Sequence, residues 1–156
     1  MLWLRSLVSF LACPATVAGL VPIWLMRGNR VYADWLIFSL PVLGIGSLAL
    51  LWCVRDFYVS GRGTLAPWDP PKHLVVVGLY HFVRNPMYVA VLTILVGWSL
   101  LYRSWLLTMY AAVVAILFHS RVVLSEEPWL KRQFGREWEG YAARVPRWFP
   151  TRFIPH

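Results

Sequence analysis

Two groups of polar side chains bracket an apolar stretch in this chain. Arg84, Asn85 and Tyr88 stand at its start, and His119, Arg121 and Glu126 stand at its end. Between them, residues 86–119 are interrupted by one charge, Arg103. A helix crossing a bilayer takes about 20 residues at ~1.5 Å each. The stretch is therefore too long for one crossing and suits a helical hairpin that turns at Tyr102-Arg103-Ser104. Asn85 and Arg121 lie 18 residues to either side of Arg103. In antiparallel helices that puts both at one depth, ~27 Å from the turn. All six groups then gather in one layer at the membrane interface, where charges are costly unless paired or used. A carboxylate there can hold a cation through a charge-assisted contact. The Asn85 amide donates and accepts without titrating, and His119 is the one obvious base in the layer.

Plainer roles exist for each. Glu126 and Glu127 would favour a helix N-terminus, and Arg84 would meet lipid phosphate. His73 and His81 read as solvated loop residues rather than metal ligands. No metal site is expected, because no His, Cys and carboxylate set has zinc spacing. No Ser-His-Asp set is apparent and no P-loop occurs. No glycine-rich dinucleotide turn follows a strand, so a Rossmann-type cofactor domain is not expected.

The elements that must position this layer are membrane helices. The chain has 156 residues, 59% of them hydrophobic and 14% charged. Soluble domains run at about 45–50% and 25%, so a soluble globular enzyme and a disordered chain are both excluded. The net charge of +8 on so apolar a chain points to an anionic membrane surface rather than nucleic acid. Cys13 and Cys53 lie in apolar runs and provide no disulfide framework. Residues 6–26 and 35–54 contain no Asp, Glu, Lys or Arg, and each is long enough to span. Residues 6–26 are too long for a signal-peptide core and lack a clear cleavage site. Pro14, Pro22 and Pro41 should kink these helices, and Trp3, Trp24, Trp35 and Trp52 mark their ends as an aromatic belt would.

The expected fold is an all-α integral membrane protein with four transmembrane helices: two, then a tight helical hairpin. Twelve basic residues fall on one side (Arg5, those of 55–84 and those of the tail) and three on the other, Arg27, Arg30 and Arg103. The positive-inside rule places both termini and segment 55–85 in the cytoplasm. Residues 61–71, with two Gly and three Pro, form a loop, and residues 72–77 are extended or lead into the third helix. Pro128 disfavours helical backbone at Glu127. The fourth helix should therefore break near Glu126, and a new one should start at Pro128. In that tail Leu130, Phe134, Trp138, Tyr141 and Val145 make an amphipathic stripe. This predicts a cytoplasmic interfacial C-terminal helix, which can also close a site. Gly135 and Gly140 weaken it. The whole chain, 1–156, reads as a single domain with two N-terminal helices (1–55) and a second half (56–156).

Residues 78–88, GLYHFVRNPMY, resemble the signature of the isoprenylcysteine carboxyl methyltransferase family, integral-membrane enzymes that use S-adenosyl-L-methionine. The tail resembles that family's second signature through Glu126-Glu127, Leu130, Phe134-Gly135, Tyr141 and Arg144-Val-Pro-Arg147. Together the two cover about half of the chain, from about Pro71 to Pro150, in the short form of the bacterial members. The resemblance implies that residues 56–156 are the cofactor-binding half. It lays Lys72, His73, Leu74 and Val75 along the cofactor, with Tyr80, Asn85, Pro86, Met87 and Tyr88 as the next wall. It puts Glu126 at the cofactor's polar end and makes Arg84 the motif's basic residue. The eukaryotic form has His where this chain has Asn85. The family's substrate-side Arg falls on Val122, with Arg121 about 100° around the helix. Arg84, Asn85 and Arg121 are thus the catalytic candidates.

Methyl transfer from a sulfonium is an in-line displacement that needs no metal. The protein must bind a cation, align donor and acceptor, and exclude water. Tyr80 and Tyr88 present ring faces or hydroxyls, and Glu126 pairs with the ammonium group. A carboxylate acceptor needs no base, whereas an amine must lose a proton. The expected activity is transfer of a methyl to a lipid-like acceptor, such as a prenylcysteine-type carboxylate, at the cytoplasmic face. Phosphatidylethanolamine N-methylation is the alternative within the enzyme class. A non-catalytic membrane assembly protein that kept the fold is the alternative outside it.

Overall fold

Prolines and glycines decide how these helices wind and where they stop. The structure, a computed structural model, describes residues 11–61 and 73–150. Among them are five helices and no strand. Helix α1 runs from Leu11–Leu20, wound in wide π-helical turns around Pro14, into an α-helical end, Val21–Leu25. A wide turn makes room for a proline, which has no N–H to give. After a loop, a 3₁₀ turn at Ala33–Trp35 leads into α2, Leu36–Gly61. Helix α3, Pro86–Tyr102, opens on a proline at its first turn, the position where a missing N–H costs nothing. Arg103 stands in the left-handed conformation with φ +47° and turns the chain. Helix α4, Trp105–Phe134, returns antiparallel. The hairpin thus turns at the expected residue. Gly135, with φ +50°, ends α4, and α5 follows at Arg136–Arg144.

Two of these helices contain spans long and apolar enough to cross a membrane, Ala33–Phe57 and Trp105–Phe134. Pro14–Leu25 and Pro86–Tyr102 are shorter apolar helices. The start of the first expected crossing, residues 6–10, lies outside the described residues. Helix α3 sits centrally, packed most extensively on α2 and then on α4. Its Ala90, Val91, Ile94 and Leu95 form the core with Ala18, Leu50 and Val114. At Gly46 a Cβ would come within 2.8 Å of Ile94 Cγ1 and 3.1 Å of the Ala90 carbonyl, so α2 and α3 meet almost backbone to backbone. The outward faces are apolar: Trp24, Ile37, Phe38, Leu48, Ile116 and Leu117 are all exposed. An apolar surface on this scale is unfavourable in water and suited to hydrocarbon.

Two expectations are corrected. The fourth helix does not break at Glu126. Residues Val122–Glu126 wind as a π turn, in which the Glu127 N–H donates to the Val122 carbonyl, and the helix continues through Pro128. The extra residue in that turn moves aside the carbonyl that a proline ring would strike. The second correction concerns the amphipathic stripe. Trp138, Tyr141 and Val145 are buried, with Leu130 and Phe134 beside them. They pack on Leu74 and Val76 of the chain itself, so this stripe does not face lipid.

Candidate functional site

Segment 73–85 lies between the membrane helices and the tail, and its alternation shows how. Val75 is buried with Cys53 and Tyr80 on the α2 side, while Leu74 and Val76 face the Trp138–Tyr141–Val145 cluster. That is the two-residue period of extended backbone. A 3₁₀ turn, Gly78–His81, then brings Tyr80 inward. Its carbonyl accepts the Tyr141 hydroxyl at 2.7 Å. Burial raises the Tyr80 and Tyr141 phenols well above their ordinary pKa, so both stay protonated as donors.

The polar groups at the two ends of the hairpin fall into two clusters, with His119 in neither. In the first, Glu126 Oε1 accepts the Tyr88 hydroxyl and, at 2.7 Å, Arg121 Nε–H. The Tyr88 ring lies 4.4 Å from that of Phe118. Among the described residues Glu126 Oε2 accepts nothing, and the side chain is 30% exposed. In the second, Glu127 holds two guanidiniums. Arg84 Nη1–H donates at 2.9 Å, and Arg147 donates through Nε and Nη2 at 2.8 Å each. The two neighbouring carboxylates diverge, Glu126 to partners on α3 and α4 and Glu127 to partners in the motif and tail. Arg84 lies over the Trp138 ring, 5.6 Å from its centroid, and its buried Nε has no partner among the described residues. Burial, opposed by Glu127, lowers its pKa. The bonds that Arg147 donates to Glu127 raise its own pKa. The tail backbone closes over the motif: Arg84 N–H donates to the Pro146 carbonyl at 2.9 Å, and Asn85 Nδ2 donates to the Arg147 carbonyl at 3.2 Å.

Of the sequence-derived candidates, the structure brings together Tyr88, Arg121 and Glu126, and separately Arg84 and Asn85. Tyr80 and Val75 are buried beside Met87, and Pro86 is buried at the start of α3. Leu74 turns to the tail, His73 is exposed, and Lys72 lies outside the described residues. His119 Nδ1 accepts the Trp148 indole N–H at 3.3 Å. Sequence reasoning missed Glu127, Arg147 and Tyr141 as a working group. The traces were present, as two adjacent acids and a tail ending in Arg-Val-Pro-Arg, but their partners stand 20 to 61 residues away. Tyr141→Phe should lower stability by about 1–3 kcal/mol, because the buried Tyr80 carbonyl loses its donor. Thermal unfolding in detergent measures it, and an unchanged Tm would show that the bond contributes nothing.

The family model for phospholipid methyltransferase matches residues 36–137. The nickel-cobalt-cadmium resistance protein NccN of Alcaligenes xylosoxydans xylosoxydans is 31% identical over 140 residues, 86% of this chain and 61% of that protein. The protein-S-isoprenylcysteine O-methyltransferase of Schizosaccharomyces pombe is 33% identical over 79 residues, 50% of this chain and 34% of that one. Protein-S-isoprenylcysteine O-methyltransferase B of Arabidopsis thaliana is 35% identical over 77 residues, 49% and 39%. The chain therefore spans between about a third and three fifths of the length of these relatives. No solved structure matches it. The matched region holds α2 to α4, the 78–88 motif and both glutamates, and the chain belongs to the phospholipid methyltransferase family of membrane methyltransferases, whose methyl donor is S-adenosyl-L-methionine.

Proposed function

We propose that this protein is an S-adenosyl-L-methionine-dependent methyltransferase whose acceptor is a lipid-like carboxylate. The whole chain acts as one unit that crosses the membrane four times, with both termini and the site on the cytoplasmic side. The observation that carries the reading is the Tyr88–Glu126–Arg121 arrangement at the mouth of the helical hairpin. Tyr88 and Arg121 both bond Oε1, which orients the carboxylate and leaves Oε2 for a cation. That suits the ammonium group of the cofactor. When bound, the cofactor supplies an already activated methyl group.

Around it the chain's residues bind, orient and exclude water. Glu126 takes the ammonium group. Tyr80, protonated and buried with Val75 and Met87, offers a dry wall. Arg84 has a buried Nε–H without a partner among the described residues and so can donate to a carboxylate. Asn85 is held by the tail, and Arg121 faces the more exposed side, 47% open. A carboxylate acceptor is favoured because His119, the one base in the layer, is engaged by Trp148. A carboxylate oxygen can accept a methyl group without first losing a proton. The phospholipid family match supports the second reading, N-methylation of an ethanolamine headgroup.

The test is incubation of the purified protein in liposomes with methyl-labelled cofactor and fractionated membrane lipids. Label in the lipid phase that alkali releases as methanol is expected, since a methyl ester is base-labile. Alkali-stable label would move the assignment to an amine. No transfer, with no binding of S-adenosylhomocysteine in detergent or lipid, would sink the methyltransferase reading.

A further inference from the structure

One carboxylate outside these clusters has an oxygen that its ion pair does not explain. Asp56, near the end of α2, has its side chain about 10% exposed. Its Oδ1 makes a 3.5 Å contact with the exposed Arg55 guanidinium, and among the described residues its buried Oδ2 accepts no hydrogen bond. An oxygen buried in that way is unfavourable by itself. What it meets is Gly78, the first residue of the 78–88 motif. A Cβ on Gly78 would overlap Asp56 Oδ2 and lie 3.0 Å from Trp52 Nε1. Trp52 and Asp56 are four residues apart on α2 and so share a face. Gly78 has φ +58°, a conformation that other L-residues adopt only at a cost. Two features thus exclude a side chain at position 78, one in its own backbone and one on the neighbouring helix.

We propose that Asp56 and Trp52 are positioning residues for the methyl-transfer site, forming a slot that admits a left-handed glycine at 78. The proposal rests on the functional reading above. The slot sets the direction that the chain takes after Gly78. Two residues later Tyr80 enters the Cys53–Val75 cluster and offers its carbonyl to Tyr141. Six and seven residues later come Arg84 and Asn85. Asp56 and Trp52 act on the site through this turn.

The experiment compares Gly78→Ala, Asp56→Ala, Asp56→Asn and the double variant Asp56→Ala/Gly78→Ala. The readouts are S-adenosylhomocysteine affinity, measured well below each melting temperature, and Tm. Gly78→Ala is expected to weaken binding about tenfold or more. The double variant should recover about threefold or more of that loss, because the methyl enters the space that the carboxylate left. Asp56→Asn, equal in size, should stay within about threefold of the native protein, while Asp56→Ala falls further. A rescue of affinity by removing a second side chain is not expected of a residue that only adds stability.

Native affinity in Gly78→Ala, or effects of the two Ala changes that simply multiply, would overturn the slot. Should Gly78→Ala fail to fold, the Asp56 pair decides: native affinity in Asp56→Ala overturns the proposal. Should the native protein bind no S-adenosylhomocysteine at all, the methyltransferase reading falls. The slot is then judged by Tm alone, where additive shifts overturn it.

Discussion

Glu126→Gln is expected to weaken S-adenosylhomocysteine binding by roughly tenfold to over a hundredfold while the protein still folds. Glutamine keeps the shape and an oxygen for the Tyr88 hydroxyl but loses the charge. A hydrogen bond to a charged group is worth about 1.5–3 kcal/mol, and every ~1.4 kcal/mol is tenfold in affinity. The folding cost is small. Arg121, the ionic partner, is 47% exposed and Glu126 30%, and an exposed ion pair contributes about 0–1 kcal/mol. Calorimetry for affinity and a thermal melt separate the two possibilities. Unchanged affinity with a lowered Tm would make Glu126 a structural residue and remove it from the site.

The neighbouring carboxylate should behave in the opposite way. Glu127→Gln is expected to destabilise the protein by about 3 kcal/mol, near the lower end for breaking a buried pair. For a domain of this length that lowers Tm by about 6–12 °C. Arg84 and Glu127 are only 13% and 17% exposed, so water compensates little. Two guanidiniums are left facing each other, and Arg84 is one whose charge burial already disfavours. The tail that caps Arg84 and Asn85 through the Pro146 and Arg147 carbonyls loses its side-chain tie. Adding Arg147→Gln should cost less than the sum of the two single changes, because one uncompensated charge disappears. A Tm within about 1 °C of the native protein would show that the tail is held by packing of Trp138, Tyr141 and Val145 alone.

The contrast between adjacent residues marks how far sequence reasoning reaches. Counting residues on either side of Arg103 places Asn85 and Arg121 at one depth, and Tyr88, about one turn beyond Asn85, meets Arg121 through Glu126. Such counting works because an unbroken helix has a constant rise. It fails at Pro128, where local preference predicts a break. Tertiary packing and one π turn carry the helix through instead. Glu126 and Glu127, adjacent on that helix and so about 100° apart around it, meet different partners.

From the sequence alone come the all-helical membrane character, the hairpin and its turn, and the two signatures that resemble the isoprenylcysteine methyltransferases. These depend on composition, span length and local backbone chemistry, all of which act over a few tens of residues. Only the tertiary structure decides that the C-terminal stripe covers Leu74 and Val76 rather than lipid. It alone ties Arg147 to Glu127 and Asn85, and sets a buried Asp56 against Gly78. An amphipathic stripe is equally content against lipid or protein, and a charged side chain accepts any opposite charge. Which partner it finds depends on where chain segments 20 to 62 residues apart come to rest.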